Sequence, residues 1–153
     1  MAEFNKHAKT SVWWDIENCG ISKGAEPEQV VSGTISMLKG IHVTSDISID
    51  IYGNIKSKIV SGLKNSLITV NHIPPNPLDN KNKKYSADKL IITNMFKWAM
   101  HNSLPANLVL VSSDGDFYYT IHNLGGHGYC IIIVKPKQAA KLLTLYELCF
   151  IME

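Results

Sequence analysis

Short apolar stretches recur along the chain and alternate with amphipathic ones. Five are rich in β-branched or aromatic residues and are predicted to be strands, at residues 11–16, 47–52, 67–72, 108–112 and 129–134. The last two are almost uninterrupted apolar runs. Such runs are typical of strands that are covered on both faces of a parallel sheet.

Helical spacing of apolar residues fills the intervals between these strands. It predicts helices at residues 28–38, 56–63, 86–100, 116–124 and 137–148. Pro27 suits a first helical turn, and the Gly125-Gly126 pair is a plausible stop for the fourth helix. The alternation predicts an α/β domain with a mainly parallel five-stranded central sheet flanked by helices. A long loop at residues 73–85 contains three prolines and three lysines.

Length and composition limit the possible classes of protein. The chain has 153 residues, of which 45% are hydrophobic, so one domain with a substantial core is expected. Residues 1–10 are expected to be a polar tail and residues 11–153 the domain. No signal peptide or transmembrane segment is predicted, and the three scattered cysteines favour neither disulfides nor zinc. These features predict an intracellular protein, cytoplasmic or nuclear, with no membrane partner.

The charge balance is nearly neutral, and by itself it indicates no partner. Fifteen cations oppose thirteen anions, for a formal net charge of +2. Every one of the cations is lysine. Phosphate contacts would therefore use lysine ammonium groups or backbone amides, not the bidentate fork of arginine.

Carboxylates follow two of the predicted strands and begin one predicted helix. Asp15 ends the first strand, Asp114 and Asp116 follow the fourth, and Asp88 lies near the start of the 86–100 helix. The carboxyl ends of parallel strands share one sheet edge, where α/β proteins bind ligands. Clustered carboxylates repel each other unless a cation neutralises them, and oxygen donors suit Mg²⁺ or Mn²⁺. Such an ion can activate water for attack on a phosphodiester.

Each of these residues also has a structural interpretation. Asp114 and Asp116 could form a turn and a helix cap, Asp15 could be a buried carboxylate bonded to backbone amides, and Asp88 could face a helix dipole. The loop lysines could simply be solvated, or they could steer a polyanion. The joint placement of the carboxylates at strand ends favours the metal site.

Several motifs together resemble the NYN domain of the PIN-like nuclease superfamily. They are SVWWDIENC at 11–19, IYGN at 51–54, NHIPP at 71–75, SADKLIITNMFKW at 86–98 and ANLVLVSSDGDF at 106–117. More narrowly, they are similar to the limkain-type branch of meiosis regulators and mRNA stability factors, which has many plant members. The resemblance runs in order from about residue 9 to residue 136.

The resemblance implies a PIN-like three-layer fold and a metal-dependent endoribonuclease, a hydrolase of single-stranded RNA in RNA metabolism and the regulation of gene expression. Asp15, Asp114 and Asp116 match the carboxylates that hold Mg²⁺ or Mn²⁺, and Asp88 matches a further catalytic carboxylate. Asn18 would orient a ligand or water. The lysines expected to attract RNA phosphates are Lys81, Lys83, Lys84 and Lys89.

Two departures from the family pattern support an alternative. Asn94 stands where the family usually has Asp in a V-D-M motif, and Asn54 stands where it often has Asp in Y-G-D. Both are expected among the substrate-binding residues, and each change removes one negative charge. Gly115 also replaces the usual arginine of G-D-R-D. A catalytically weakened RNA-binding or regulatory module is therefore the second hypothesis.

A third hypothesis is a protein-interaction domain without a nucleic-acid role, since +2 is a weak electrostatic footprint. Substrate selection would come from the domain itself or from a protein partner. A homodimer, and DNA as the substrate, are left open.

Overall fold

A computed structural model describes residues 5–20, 26–41, 43–55, 68–73, 85–136 and 146–150. The predicted 56–63 helix and residues 74–84 of the long loop lie outside this part. In chain order the elements are β1 (Lys9–Asp15), α1 (Pro27–Gly40), β2 (Ile47–Gly53), β3 (Ile68–His72), α2 (Tyr85–His101), β4 (Ala106–Val111), a 3₁₀ turn (Gly115–Phe117), α3 (Tyr118–Gly126), β5 (Cys130–Pro136) and β6 (Tyr146–Phe150).

The strands form one sheet in the order β3-β2-β1-β4-β5-β6. The first five are mutually parallel, as predicted from the apolar runs. β1 begins two residues earlier than expected and takes in Lys9 and Thr10, which the composition assigns to the tail. From β1 the strand order runs to one side through β2 and β3 and to the other side through β4 and β5. The boundary between β1 and β4 is therefore the switch point of the sheet, where α/β proteins have a crevice at the carboxyl ends of the strands.

The end of the chain corrects one sequence prediction. β6 pairs antiparallel with β5, so residues 146–148 are strand and not the end of a helix. The remaining part of that predicted helix, residues 137–145, lies outside the described residues. The free edge of β5 offers unpaired backbone groups, and pairing with them outweighs the helical spacing of the leucines.

Side chains of alternating positions form two cores, one on each face of the sheet. Val12 and Trp14 of β1 pack in the core that includes α1. Trp13 packs in the other core, against residues of α2 and α3. The two tryptophans therefore point to opposite faces, as the period of a strand requires. Asp15, two residues after Trp13, is directed to the face covered by α2.

The helices closely match the predicted spans. α1 begins at Pro27, and the Glu26 backbone N–H donates to Gln29 Oε1 at 3.4 Å. α2 extends the predicted 86–100 helix by one residue at each end, and a 3₁₀ turn precedes α3. Among the described helices, none is both long and apolar enough to cross a membrane.

Candidate functional site

Acidic residues from two elements meet at the edge of the sheet where β1 and β4 end. Asp88 comes from the first turn of α2, whereas Asp114 and Asp116 come from the turn after β4. Each of these three offers a carboxylate oxygen within 4.8 Å of the others. Asp88 and Asp114 are partly buried and Asp116 is exposed, so the group is open to solvent on one side.

The charge of this cluster is felt most strongly at Asp88. Burial and, after it, the nearby charges of Asp15, Asp114, Asp116 and Glu17 together raise the pKa of its carboxyl to about 6. A divalent cation would relieve this repulsion, because it favours the ionised form of each carboxylate.

Asp15 lies beside this group and is fully buried. Its Oδ1 accepts hydrogen bonds from the backbone N–H groups of Glu17 (3.2 Å) and Asn18 (3.3 Å). Its Oδ2 accepts from Asn18 Nδ2 at 2.6 Å and from Ser112 Oγ at 3.0 Å. Both oxygens therefore have protein donors, as the structural interpretation of Asp15 requires, while the negative charge remains close to Asp88.

Ser112 connects Asp15 to the second acidic turn. Its hydroxyl donates to Asp15 and accepts the backbone N–H of Asp114 at 3.1 Å. Asp114 Oδ1 in turn accepts the backbone N–H of Asp116 at 3.0 Å and caps the 3₁₀ turn. The capping interpretation of Asp114 is thus confirmed, and the same carboxylate also belongs to the cluster. Ser112 was not identified from the sequence, and its polarity at the end of an apolar strand was the available signal.

The turn after β1 holds Asn18 and Cys19 in place. Trp14 Nε1 donates to the Cys19 carbonyl at 2.7 Å, and Ser113 Oγ donates to the Asn18 carbonyl at 2.9 Å. Burial, and then the Asp15 charge, raise the pKa of the Cys19 thiol to about 12. A thiolate nucleophile at this position is therefore excluded at neutral pH.

The two asparagines that stand where the family pattern has aspartate make hydrogen bonds to residues other than the three clustered aspartates. The exposed Asn54 donates its backbone N–H to Glu17 Oε1 at 3.1 Å. Asn94 donates through Nδ2 to Tyr52 Oη at 3.0 Å, and it lines a cleft of about 330 Å³ between α2 and the sheet. The cleft also contains Trp13 and Asp50, which sequence reasoning did not connect with a site.

Of the predicted phosphate-binding lysines, Lys89 is described. It is exposed on α2 and immediately follows Asp88. Lys81, Lys83 and Lys84 lie outside the described residues. A cation on one side of the acidic cluster can attract a phosphate without occupying the position of a metal ion.

The donors of the cluster fit a hard divalent cation. Three carboxylate oxygens within 4.8 Å are the ligand type that Mg²⁺ and Mn²⁺ prefer, and the open side leaves space for water and a phosphate oxygen.

Comparison with known proteins agrees with this geometry. The family model described as "NYN domain" matches residues 9–150. Meiosis regulator and mRNA stability factor 1 of Bos taurus is 31% identical over 134 residues, which are 86% of this chain and 7% of that protein. The protein of the same name from Mus musculus is 30% identical over 134 residues, with the same coverage. The protein from Xenopus tropicalis is 30% identical, and the match covers 8% of its length.

The chain thus spans less than a tenth of the length of these relatives. The match nevertheless includes every element that builds the acidic edge, from β1 to the turn after β4. The fold is the PIN-like α/β fold found in a nuclease superfamily, and the chain belongs to the NYN domain family.

Proposed function

We propose that the chain is a divalent-metal-dependent endoribonuclease that cleaves single-stranded RNA. The observation that carries the proposal is the convergence of Asp88, Asp114 and Asp116, whose carboxylate oxygens lie within 4.8 Å of one another. A bound Mg²⁺ or Mn²⁺ would supply Lewis-acid chemistry and an activated water for attack on phosphorus.

The protein residues have separate tasks in this proposal. Asp88, Asp114 and Asp116 hold the ion, and Ser112 fixes the turn that carries two of them. Asp15 adds negative charge from a buried position and increases the affinity for a cation. Asn18, whose Nδ2 is bonded to Asp15, has its Oδ1 available to orient water.

The choice of RNA as substrate has two supports. The relatives are named as mRNA stability factors, and the match to them extends over 86% of this chain. Lys89 beside Asp88 would provide a point charge for the polyanion, and Lys81, Lys83 and Lys84 would add to it.

The alternative function is an RNA-binding or regulatory module with weakened catalysis. Asn54 and Asn94 motivate it, since each replaces a carboxylate of the family pattern. The three aspartates whose carboxylate oxygens lie within 4.8 Å of one another are all present, so we favour an active nuclease.

The test is cleavage of end-labelled single-stranded RNA with Mn²⁺, with Mg²⁺ or with a chelator. We expect cleavage that needs the ion, and products without 2′,3′-cyclic phosphate ends, because water and not the 2′-hydroxyl attacks. Asp88→Asn, Asp114→Asn and Asp116→Asn should each lower the rate at least about 100-fold. Asp46→Asn, at an exposed aspartate outside the cluster, is the matched control.

Cleavage that persists in chelator, or full activity of Asp114→Asn, would contradict the mechanism. Binding of RNA without cleavage, with cleavage gained by Asn94→Asp, would instead establish the weakened module. If the protein neither binds nor cleaves RNA, the third hypothesis, a protein-interaction domain, would be favoured.

A further inference from the structure

Two rows of side chains form the floor of the cleft between α2 and the sheet. Strand register places Trp13, Asp50 and Thr69 side by side on β1, β2 and β3. The next row, towards the acidic edge, contains Asp15, Tyr52 and Asn71, of which Tyr52 and Asn71 line the cleft. Neighbouring strands are about 4.8 Å apart, so the buried Asp15 beside the metal site is one strand away from Tyr52 in the cleft. The cleft and the acidic cluster are therefore adjacent on one surface.

Hydrogen-bond donors in this cleft are left for a ligand. Trp13 is 1% exposed, and among the described residues its Nε1 makes no hydrogen bond of good geometry; it is directed towards Tyr52 Oη, and this contact lowers the pKa of the phenol against the larger effect of burial. A buried N–H without an acceptor costs on the order of 1–3 kcal/mol, so it suggests an acceptor that arrives with a ligand. Tyr52 Oη accepts from Asn94, and its own O–H remains able to donate to a ligand.

An acceptor lies next to these donors. Asp50 is only partly exposed, and burial raises the pKa of its carboxyl, against the opposing effect of a hydrogen bond from Thr69. Its second oxygen can accept hydrogen bonds from a ligand, which would favour the ionised form. The cleft therefore presents an N–H donor and a carboxylate acceptor at adjacent register positions, Trp13 and Asp50.

We propose that this cleft binds one guanine base of the RNA, next to the phosphate that is cleaved. Guanine carries a carbonyl acceptor, O6, beside two donors, the N1–H and the N2 amino group. O6 would accept from Trp13 Nε1, while N1–H and N2–H would donate to the Asp50 carboxylate. The volume of about 330 Å³ accommodates a purine, and single-stranded RNA is commonly recognised through splayed bases of this kind.

The other bases match this pattern less well. Adenine has an amino donor and a ring acceptor in the positions where guanine has O6 and N1–H. Its amino group would therefore face the N–H of Trp13, and two donors cannot form a hydrogen bond with each other. Cytosine places its amino group there as well. Uracil has the carbonyl and one ring N–H but lacks the second donor to Asp50, so it should bind more weakly than guanine.

The cleavage role of this base site rests on the proposed nuclease function, but base binding can be tested without it. The four ribonucleoside 5′-monophosphates share ribose and phosphate, so differences in their affinities report on the base. They are titrated into the protein with chelator present, and binding is followed by tryptophan fluorescence, since Trp13 and Trp98 line the cleft. We expect guanosine monophosphate to bind at least about tenfold more tightly than the adenosine and cytidine compounds.

Variants assign the preference to the cleft. Asp50→Asn keeps the shape of the side chain but replaces one acceptor oxygen with a donor, and it should remove the guanine preference. Trp13→Phe removes the indole N–H and should also remove the guanine preference. Tyr52→Phe removes a single hydroxyl and should weaken binding, so it provides a second test if Trp13→Phe fails to fold. Asp46→Asn, an exposed aspartate at the start of β2, should bind as the parent chain does.

Equal affinity for the four nucleotides, tighter binding of any base other than guanine, or an unchanged preference in Asp50→Asn would overturn the proposal. Loss of RNA cleavage in chelator has no bearing on these titrations. A protein that prefers guanine but never cleaves RNA would contradict the nuclease proposal and leave the base site supported.

Discussion

The carboxylate of Asp15 accepts a hydrogen bond from Ser112 Oγ at 3.0 Å, and this bond ties the end of β1 to the end of β4. Both residues are almost completely buried. Because the same hydroxyl accepts the backbone N–H of Asp114, a single oxygen sets the distance between the buried carboxylate and the acidic turn. The geometry of the proposed metal site therefore depends on a residue that is not one of its proposed ligands.

Replacing Ser112 by alanine should lower the stability of the folded chain. Ser112→Ala leaves the buried Oδ2 of Asp15 with one donor fewer and releases Asp114, so we expect a loss of about 1–3 kcal/mol in the free energy of unfolding. Urea denaturation measures it. Ser113→Ala removes an exposed hydroxyl that bonds the Asn18 carbonyl, and it should cost less than about 1 kcal/mol. Equal losses in the two variants would contradict the importance given to Ser112.

Asp88 should make the metal-free protein less stable as the pH rises. Its pKa is raised from 3.8 to about 6, so the folded state binds more protons than the unfolded state between these values. The contribution of Asp88 to the free energy of unfolding is therefore greatest below about pH 4, and it is lost as the pH rises through about 6. Thermal unfolding in chelator should show this slope in the parent chain and a smaller slope in Asp88→Asn. If Asp88→Asn showed the same pH dependence of stability as the parent chain, Asp88 would not be its cause.

Removing the charge of Asp15 should lower the pKa of Asp88. Burial is the largest cause of the raised pKa, and the Asp15 carboxylate has the largest effect among the nearby charges. Asp15→Asn keeps the shape and removes the charge, so the Asp88 carboxyl should ionise at lower pH. NMR titration of the side-chain carboxyl carbon measures the change. A pKa that stays at about 6 would contradict a contribution from Asp15 and would leave burial and the other carboxylates as the causes.

Gly53 should tolerate no side chain at the end of β2. Its φ is +142°, and an added Cβ would lie 2.7 Å from Ile16 Cγ2 and 2.9 Å from Glu17 Cγ. Gly53→Ala should therefore cost about 1–3 kcal/mol and displace the turn that holds Asp15. Gly33→Ala, in the middle of α1 with open space around it, should instead stabilise the protein by about 0.5–1 kcal/mol. Chemical denaturation of both variants tests the contrast, and a neutral Gly53→Ala would contradict it.

Much of the fold could be predicted because the apolar patterns are local. Each of these elements, which are the five parallel strands and the helices α1, α2 and α3, is 5 to 17 residues long, and its apolar pattern lies within that length. β6 could not be predicted in this way, since its partner is the edge of β5 and only the assembled sheet supplies it. The leucines of residues 142–148 have helical spacing, but local spacing does not contain that long-range pairing.

The sequence predicts where the aspartates lie in the fold, but it does not predict which of them are in contact distance of one another. Strand ends placed Asp15, Asp114 and Asp116 at one sheet edge, whereas the group within 4.8 Å contains Asp88 in place of Asp15. The difference depends on hydrogen bonds of Asp15 to Asn18 and Ser112, and on the docking angle of α2. The base cleft depends on register, because only the pairing of Trp13 with Asp50 brings its donor and acceptor together.

Binding of Mn²⁺ tests the central claim most directly. Electron paramagnetic resonance counts free Mn²⁺ during a titration at pH 7.5, where Asp88 with its pKa of about 6 is ionised. We predict one saturable site in the parent chain and in Asp46→Asn, weakened at least about tenfold in Asp88→Asn, Asp114→Asn and Asp116→Asn, because affinity depends on ligand charge. Unchanged binding in these three variants, or no saturable binding to the parent chain, would contradict a metal centre at the ends of β1 and β4.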